Sequence, residues 1–359
     1  MTTPNPASAA PPPPLALQIG FGYVASAALQ VALHLEIADR LADGPRTAAD
    51  LARAAGVQED ALYRVLRTLA SVGIFEERPA RTFATNAAAD VLRKGDTTLR
   101  NILYFLTDSI HFRTYGELLH AVQTGQPSVE KVLGAPVFEY LAKDPAFAER
   151  FNNGMTSMSA AAIDAALKAY DFSGIDVLVD VAGGHGMVLT SILRQYPNMR
   201  GVLFDVDHVI AGAAPLIARA GVTDRCQTVS GDFFKAVPSG GDAYIMKHII
   251  HDWDDERALV ILRNVHRELR ASPRGRLILL ESVVQQGNLP DFGKQIDLEM
   301  LLFPGGRERT ADEFADLFAR AGFELTRIVP TESPLAVIEA HVPARHSAER
   351  EGGRSEEEL

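Results

Sequence analysis

After Gly174 the sequence alternates short apolar runs, rich in β-branched residues, with longer stretches of helical periodicity, and this alternation limits the fold more than any other feature. The apolar runs fall at 177–181, 201–204, 227–229, 243–247, 276–281, 324–329 and 336–341, and the helical stretches at 188–196, 209–220, 256–269 and 311–321. Strands separated by helices pair in parallel, so the pattern predicts an α/β fold, a mostly parallel sheet with helices on both faces. The last two runs are divided only by a break at 330–334, bounded by Pro330 and Pro334, which predicts an antiparallel hairpin at one edge.

A chain of 359 residues has room for a second domain ahead of this sheet. From Thr47 the order is short helix (49–55), break at Gly56, helix (60–72), break at Gly73 and two short strands (74–77 and 82–85), the outline of a winged helix. The expected organisation is a mobile leader at 1–14, the winged-helix domain at 15–98, a helical linker and pocket region at 99–172, the sheet domain at 173–343 and a mobile tail at 344–359. The winged region holds seven basic residues (Arg53, Arg64, Arg67, Arg78, Arg81, Arg93, Lys94) against six acidic ones (Asp50, Glu59, Asp60, Glu76, Glu77, Asp90), and the whole chain carries a net charge of -11. Phosphate-backbone binding depends on an excess of Lys and Arg, so a nucleic-acid partner is not expected. Residues 15–35 are apolar and nearly long enough to span a bilayer, but they include Gln18, Ser26, Gln30 and His34 and lead into Glu36, Asp39 and Arg40. This stretch reads as a helix buried on more than one side, against its own domain or a second subunit, and no membrane partner is expected. One cysteine, Cys226, excludes an internal disulfide, and the leader has no basic signal-peptide start, so a cytoplasmic location is expected.

In open α/β sheets ligands lie beyond the carboxyl ends of the strands, and here those ends are chemically rich. The first strand runs into Ala182-Gly183-Gly184-His185-Gly186, where small residues let a ligand approach the backbone. Leu189 stands where a dinucleotide fingerprint starting at Gly184 would place its third glycine. The second strand ends at Asp205, an acceptor for ribose hydroxyls, and the third is followed by Gly231-Asp232-Phe233-Phe234, a carboxylate and a ring suited to a purine. Asp180 lies inside an apolar strand and requires a hydrogen-bonding or cationic partner.

The fourth strand ends in Met246-Lys247-His248-Ile249-Ile250-His251-Asp252-Trp253-Asp254. His251 therefore stands at the ligand edge, where Glu281 emerges from the neighbouring strand and Glu308 arrives from the turn 304–310. A histidine between two carboxylates has its tautomer fixed and its imidazolium stabilised, as a general base requires. A metal set of His248, His251 and Asp252 is disfavoured because an offset of three along a strand turns two rings to opposite faces. From an ordinary histidine, taking a proton from a phenol is uphill by about 3.5 pKa units, roughly 5 kcal/mol, whereas an aliphatic alcohol costs roughly 12 kcal/mol. The better acceptor is a phenol or enol. Trp253 either covers a purine or fills core, and the helix through Phe151, Met155, Met158 and Ser159 puts these on one face, suited to wall a flat ring.

Taken together, LVDVAGGHG (178–186), FDVDHVI (204–210), GDFF (231–234), MKHIIHDWDD (246–255), PGGRERT (304–310) and FNNGM (151–155) resemble the plant-type and bacterial small-molecule O-methyltransferases. That family includes the caffeic acid and hydroxyindole enzymes and tailoring enzymes of polyketide antibiotics. The resemblance implies a class I methyltransferase: a Rossmann-like, mostly parallel seven-stranded sheet with a C-terminal antiparallel hairpin, preceded by a winged-helix domain that forms a homodimer. It implies S-adenosyl-L-methionine as cofactor, S-adenosyl-L-homocysteine as product and no metal. His251 becomes the base, flanked by Glu281 and Glu308. Asp205 would bind ribose, Asp232 and Phe233 adenine, and Lys247 and Ser159 other cofactor atoms, with Asp180, Gly183, Gly184, Val206 and Trp253 completing the cofactor set and the methionine ammonium meeting Asp180. Phe151, Met155, Met158, Asp252 and Phe303 would face a small aromatic acceptor. Ala182 replaces the first glycine of the plant VGGG run, Phe303 an asparagine and Met158 a histidine, so a larger, more apolar acceptor than a phenylpropanoid is expected. The alternatives are nitrogen methylation or another tailoring reaction on the same fold, or a ligand-sensing winged-helix regulator.

Overall fold

The computed structural model describes residues 13–95, 99–270, 272 and 275–343. Apart from Pro13 and Pro14, the leader and tail expected to be mobile lie outside the described residues. The chain forms two compact units, one of Met1–Arg113 with Pro145–Met158 and one of Thr114–Asp144 with Ser159–Leu359. The long helix Pro145–Ala169 contributes to both.

In the first unit the winged-helix pattern is present. Helices Ala48–Ala55 and Glu59–Ser71 start at Thr47 and Gln58, whose side chains accept from the backbone of Asp50 and Ala61, and the first helix stops at Gly56 in the left-handed conformation. Strands β1 (Arg46–Thr47), β2 (Glu76–Arg78) and β3 (Thr82–Ala84) form an antiparallel sheet in the order β1-β3-β2. Leu33, Leu51, Leu62, Leu66, Leu69 and Phe83 fill the core beneath it. The apolar N-terminal stretch forms two helices, Leu15–Gly20 and Gly22–His34. Within the chain it is buried only at Ala28, Ala32 and Leu33, while Leu15, Leu17, Ile19, Phe21 and Tyr23 are exposed.

The second unit is built on seven strands: β4 (Val177–Val181), β5 (Arg200–Asp205), β6 (Cys226–Ser230), β7 (Ala243–Lys247), β8 (Arg276–Glu281), β9 (Glu324–Pro330) and β10 (Ala336–His341). Their order is β6-β5-β4-β7-β8-β10-β9, parallel except for β10, which pairs antiparallel with both β8 and β9. The expected hairpin thus closes one edge. Alternate residues of the central strands go to opposite faces, and both faces are covered. Val179, Val181, Tyr244, Met246, Leu277 and Leu279 pack with helices Asp255–Leu269 and Ala311–Ala321, whereas Leu178, Leu203, Ile245, Ile278 and Leu280 pack with Met187–Gln195 and Ala214–Ala220. The chain moves outward from β4 through β5 and β6, then returns to β7 on the other side, so the sheet's switch point lies between β4 and β7. Asp180, His251 and their neighbours gather at the carboxyl ends of these strands.

Candidate active site

The turn after β4 is shaped by backbone rather than side chain. Ala182, Gly184 and Gly186 adopt left-handed φ values of 56°, 61° and 89°, and the alanine carries the strain that a glycine would avoid. A Cβ on Gly183 would stand 2.5 Å from Asp180 Oδ2 and from Leu203, so only glycine fits there. Asp205 closes the turn, its Oδ2 accepting from Gly184 N at 2.8 Å and its Oδ1 from Val206 N at 2.7 Å. Asp180 is 1% exposed and its Oδ2 has no hydrogen-bond partner among the described residues. Burial pushes its carboxyl up to about 7, against the lowering effects of the Leu189 backbone and Lys247. A buried, half-satisfied carboxylate beside a glycine cradle fits a ligand that brings a cation, such as the amino group of an amino-acid moiety.

At the next strand ends Asp232 accepts from Phe234 N at 2.9 Å, and Phe233 and Phe234 lie edge-on to Trp253, with ring centroids at 6.1 and 4.8 Å. Phe138 and the Arg257 guanidinium also meet Trp253. Trp253 is thus packed among Phe233, Phe234 and Phe138. Ser159 is buried, Val206 is exposed, and Phe303 is buried at the end of helix Gly293–Leu302. Burial lowers the Lys247 ammonium, opposed by Glu281, Asp180 and Asp252.

His251 sits in a single 3-10 turn, Ile250–Asp252, just after β7 and is 6% exposed. Its Nδ1 lies 2.7 Å from Glu308 Oε1 and 3.7 Å from Glu281 Oε2, and its Nε2 lies 3.5 Å from Asp252 Oδ1. Glu281 Oε1 accepts from the backbones of Ile249 and Ile250 at 3.0 and 2.9 Å, which ties the end of β8 to the turn. Burial disfavours charge on the imidazole, but Glu281, Asp252 and Glu308 outweigh it and raise His251 to about 9. The carboxyl groups respond in turn: burial pushes Asp252 up to about 6 and also raises Glu281. His248 departs from the strand geometry assumed above. The strand ends at Lys247, His248 turns left-handed with φ of 54°, and its ring stacks on His251 at 4.7 Å and 7° rather than facing away. Its Nδ1 lies 3.1 Å from Lys247 Nζ, and burial holds its pKa well below the ordinary value.

Sequence reasoning assigned no role to Arg309, to Asp297, which accepts from Glu308 N at 2.8 Å, or to the helix that carries Asp297. The only hint was the density of charge in PGGRERT, too polar for a plain turn. Phe151, Met155 and Met158 belong to the first unit, where Phe151 packs edge-on against Phe105 at 5.5 Å and Gly154 lies against Ile102.

Comparison with known proteins accords with this geometry. Residues 115–324 match the model of the O-methyltransferase domain and residues 17–95 that of the O-methyltransferase dimerisation domain. The chain is 42% identical to the phenazine O-methyltransferase PhzM of Lysobacter antibioticus, over 95% of this chain and 99% of that protein. The crystal structure of LaPhzM is similar with a TM-score of 0.84 and 42% identity, over 91% of this chain and 98% of that one. NcsB1, an O-methyltransferase from neocarzinostatin biosynthesis solved with S-adenosylmethionine and 2-hydroxy-5-methyl naphthoic acid, gives a TM-score of 0.74 and 29% identity, over 89% and 96%. With both models matched in order along the chain, over a class I sheet, the protein belongs to the O-methyltransferase family and is an S-adenosylmethionine-dependent enzyme with an N-terminal dimerisation domain.

Proposed function

We propose that the protein methylates a phenolic or enolic hydroxyl of a small polycyclic aromatic metabolite, with His251 as the general base. The observation that carries this reading is the buried imidazole held at Nδ1 by Glu308, which leaves Nε2, 3.5 Å from Asp252 Oδ1, as the nitrogen that would meet the acceptor. Raising the base to about 9 brings it within about one unit of a phenol, so the transfer costs about 1.4 kcal/mol instead of roughly 5. An aliphatic alcohol stays uphill by about 7 units, roughly 9 kcal/mol. The carboxylates close the gap for one acceptor class only.

Asp180 would hold the cofactor's ammonium, Asp205 and Val206 the ribose side, and Asp232, Phe233 and Trp253 the adenine, with Gly183 and Gly184 leaving room at the backbone. Lys247 and Ser159 complete the set. The bound cofactor supplies an electrophilic methyl on its sulfonium. Phe303, Asp252, Phe151, Met155 and Met158 keep their sequence-based assignment to the acceptor. The phenazine and naphthoate chemistry of the relatives supports a fused aromatic acceptor, and turnover of polycyclic phenols compared with caffeate tests it: preference for caffeate would overturn it. Replacing His251 with Ala is expected to lower hydroxyl methylation by roughly 10² to 10⁴. Unchanged turnover would refute the base and point to an amine acceptor, whose lone pair needs no such help. The exposed row Leu15, Leu17, Ile19, Phe21 and Tyr23 supports a homodimer in which a second copy covers it. Light scattering on the eluted protein tests this, and a monomer would refute it.

A further inference from the structure

Arg309 is 1% exposed, and its guanidinium bonds no side chain of the cofactor or acceptor residues named above, meeting among them only the backbone carbonyl of Trp253. Nε and Nη2 bind Asp255 Oδ1 at 3.1 and 2.8 Å. Nη1 donates to Ile250 O at 3.2 Å and to Arg307 O at 3.3 Å, while Nη2 donates to Trp253 O at 3.0 Å. Ile250 and Trp253 bracket the turn that carries His251. The carbonyl of His251 itself accepts from Arg307 N at 2.8 Å, and Gly306 lies so close to it that any Cβ there would overlap the oxygen. Residues 306–309 therefore bind the backbone carbonyls of Ile250, His251 and Trp253, from the first residue of the turn to the one that follows it. On its other side Arg309 O accepts from Val284 N at 2.9 Å, and Val283 pairs with Arg309 as an isolated bridge, fastening the segment that follows Glu281. Glu308 is the preceding residue. One position thus joins the three chain segments that supply His251, Glu281 and Glu308.

We propose that Arg309 is a positioning residue that holds the His251 imidazole and the Glu308 carboxylate at their working separation, an inference that rests on His251 being the base. The planar fork, with five N–H donors spread over three nitrogens, reaches these four acceptors at once, whereas a lysine ammonium offers only three donors from a single point. A short 3-10 turn leaves carbonyls without intrahelical donors, and in a buried setting those carbonyls need a partner to keep their place. Without the fork the turn can swing, and the short Nδ1 to Oε1 contact, the most distance-sensitive feature of the site, lengthens first.

The test compares Arg309→Lys and Arg309→Met with the parent enzyme. The expected result is S-adenosylhomocysteine affinity within about threefold by calorimetry, acceptor KM within a few-fold, and kcat lowered by about 10²-fold. The rising limb of the pH profile should move at least one unit toward the ordinary histidine range. A folded variant with the parent's kcat per binding site and an overlapping pH profile would overturn the proposal, since a purely structural role changes only the melting temperature. If Arg309→Met does not fold, Arg309→Lys and Asp255→Asn carry the test, the latter by loosening the guanidinium from its outer anchor. A parent-like profile in both variants would overturn it equally. Titration of the His251 ring by nitrogen-labelled NMR needs no turnover. A downward shift in the Arg309 variants supports the positioning role even if His251→Ala retains activity, in which case the base assignment fails on its own.

Discussion

Replacing Asp180 with Asn tests whether the buried carboxylate is built for the cofactor's ammonium. Asp180 is 1% exposed and is pushed up to about 7 from 3.8, a shift of about 3 units, which places a cost of about 4 kcal/mol on its charged form. The sign follows from the direction. A carboxyl whose folded pKa is raised stabilises the fold while protonated, and that contribution is lost as pH rises from about 4 through about 7. At pH 8 without ligand the parent carries the full burden. The Asn variant does not, although its amide leaves a donor unpaired at a cost of about 1 to 3 kcal/mol. Ligand-free Asp180→Asn is therefore expected to be more stable than the parent at pH 8 by about 1 to 3 kcal/mol, with the advantage gone by pH 5. Binding should run the other way. Loss of a buried charge pair costs about 2 kcal/mol or more, so S-adenosylhomocysteine affinity should fall by at least about 30-fold. In the parent, affinity should weaken about tenfold per unit below pH 7, because the ammonium must displace the proton, and the variant should show no such slope. Calorimetry from pH 5.5 to 8.5, with melting curves over the same range, reads both effects. Parent-like affinity and slope in Asp180→Asn would refute the reasoning, as would a ligand-free variant less stable than the parent at pH 8.

As the proposed base, the raised His251 must lose its proton before acting, so kcat/KM for a phenol of ordinary acidity should rise about tenfold per unit from pH 7 toward about 9 and fall again above about 10; a profile flat from pH 7 upward would contradict it. Glu308→Gln removes the acid 2.7 Å from Nδ1 and should move the rising limb to lower pH while lowering the maximal rate, measured on the same acceptor. Gly306→Ala places a methyl group against the His251 carbonyl and should lower kcat and melting temperature together, with cofactor affinity nearly unchanged by calorimetry. Gly183→Ala drives a methyl group into Asp180 and Leu203 and should instead weaken S-adenosylhomocysteine binding, read by the same titration.

The sheet was legible because it is buried on both faces, and a doubly buried strand writes itself as a continuous apolar run such as 177–181 or 276–281. Its chemical edge was legible for a related reason: once the strands were set, the residues that end them had to lie together, so Asp180, Asp205, Asp232 and His251 could be read as one edge before any coordinates. The helix Gly293–Leu302 was not read, since its apolar and charged residues alternate without a clean stripe and it begins without a side-chain cap. The left-handed turn at His248 was missed for a local reason. A residue other than glycine or asparagine with positive φ announces nothing in sequence, and here the ring it redirects ends up stacked on His251.

Arg309 marks a deeper limit. Its motif was visible, but its work consists of donating to carbonyl oxygens at Ile250, Trp253 and Arg307, and a carbonyl has no letter in a sequence. Strand ends can be inferred to converge because the sheet imposes their spacing, whereas the closeness of an imidazole to a carboxylate within a few tenths of an ångström is set by backbone contacts that no pattern of side chains encodes. It follows that the residues easiest to read are those that end the strands, and the hardest are those that fix the distances between them. In this site the second kind decides the chemistry. Glu281, Asp252 and Glu308 together outweigh burial and raise His251 to about 9, which in the proposed base role makes proton transfer from a phenol nearly level. The same three acids held an ångström or two further away would raise His251 less and, in the proposed base role, reopen part of the gap to a phenol.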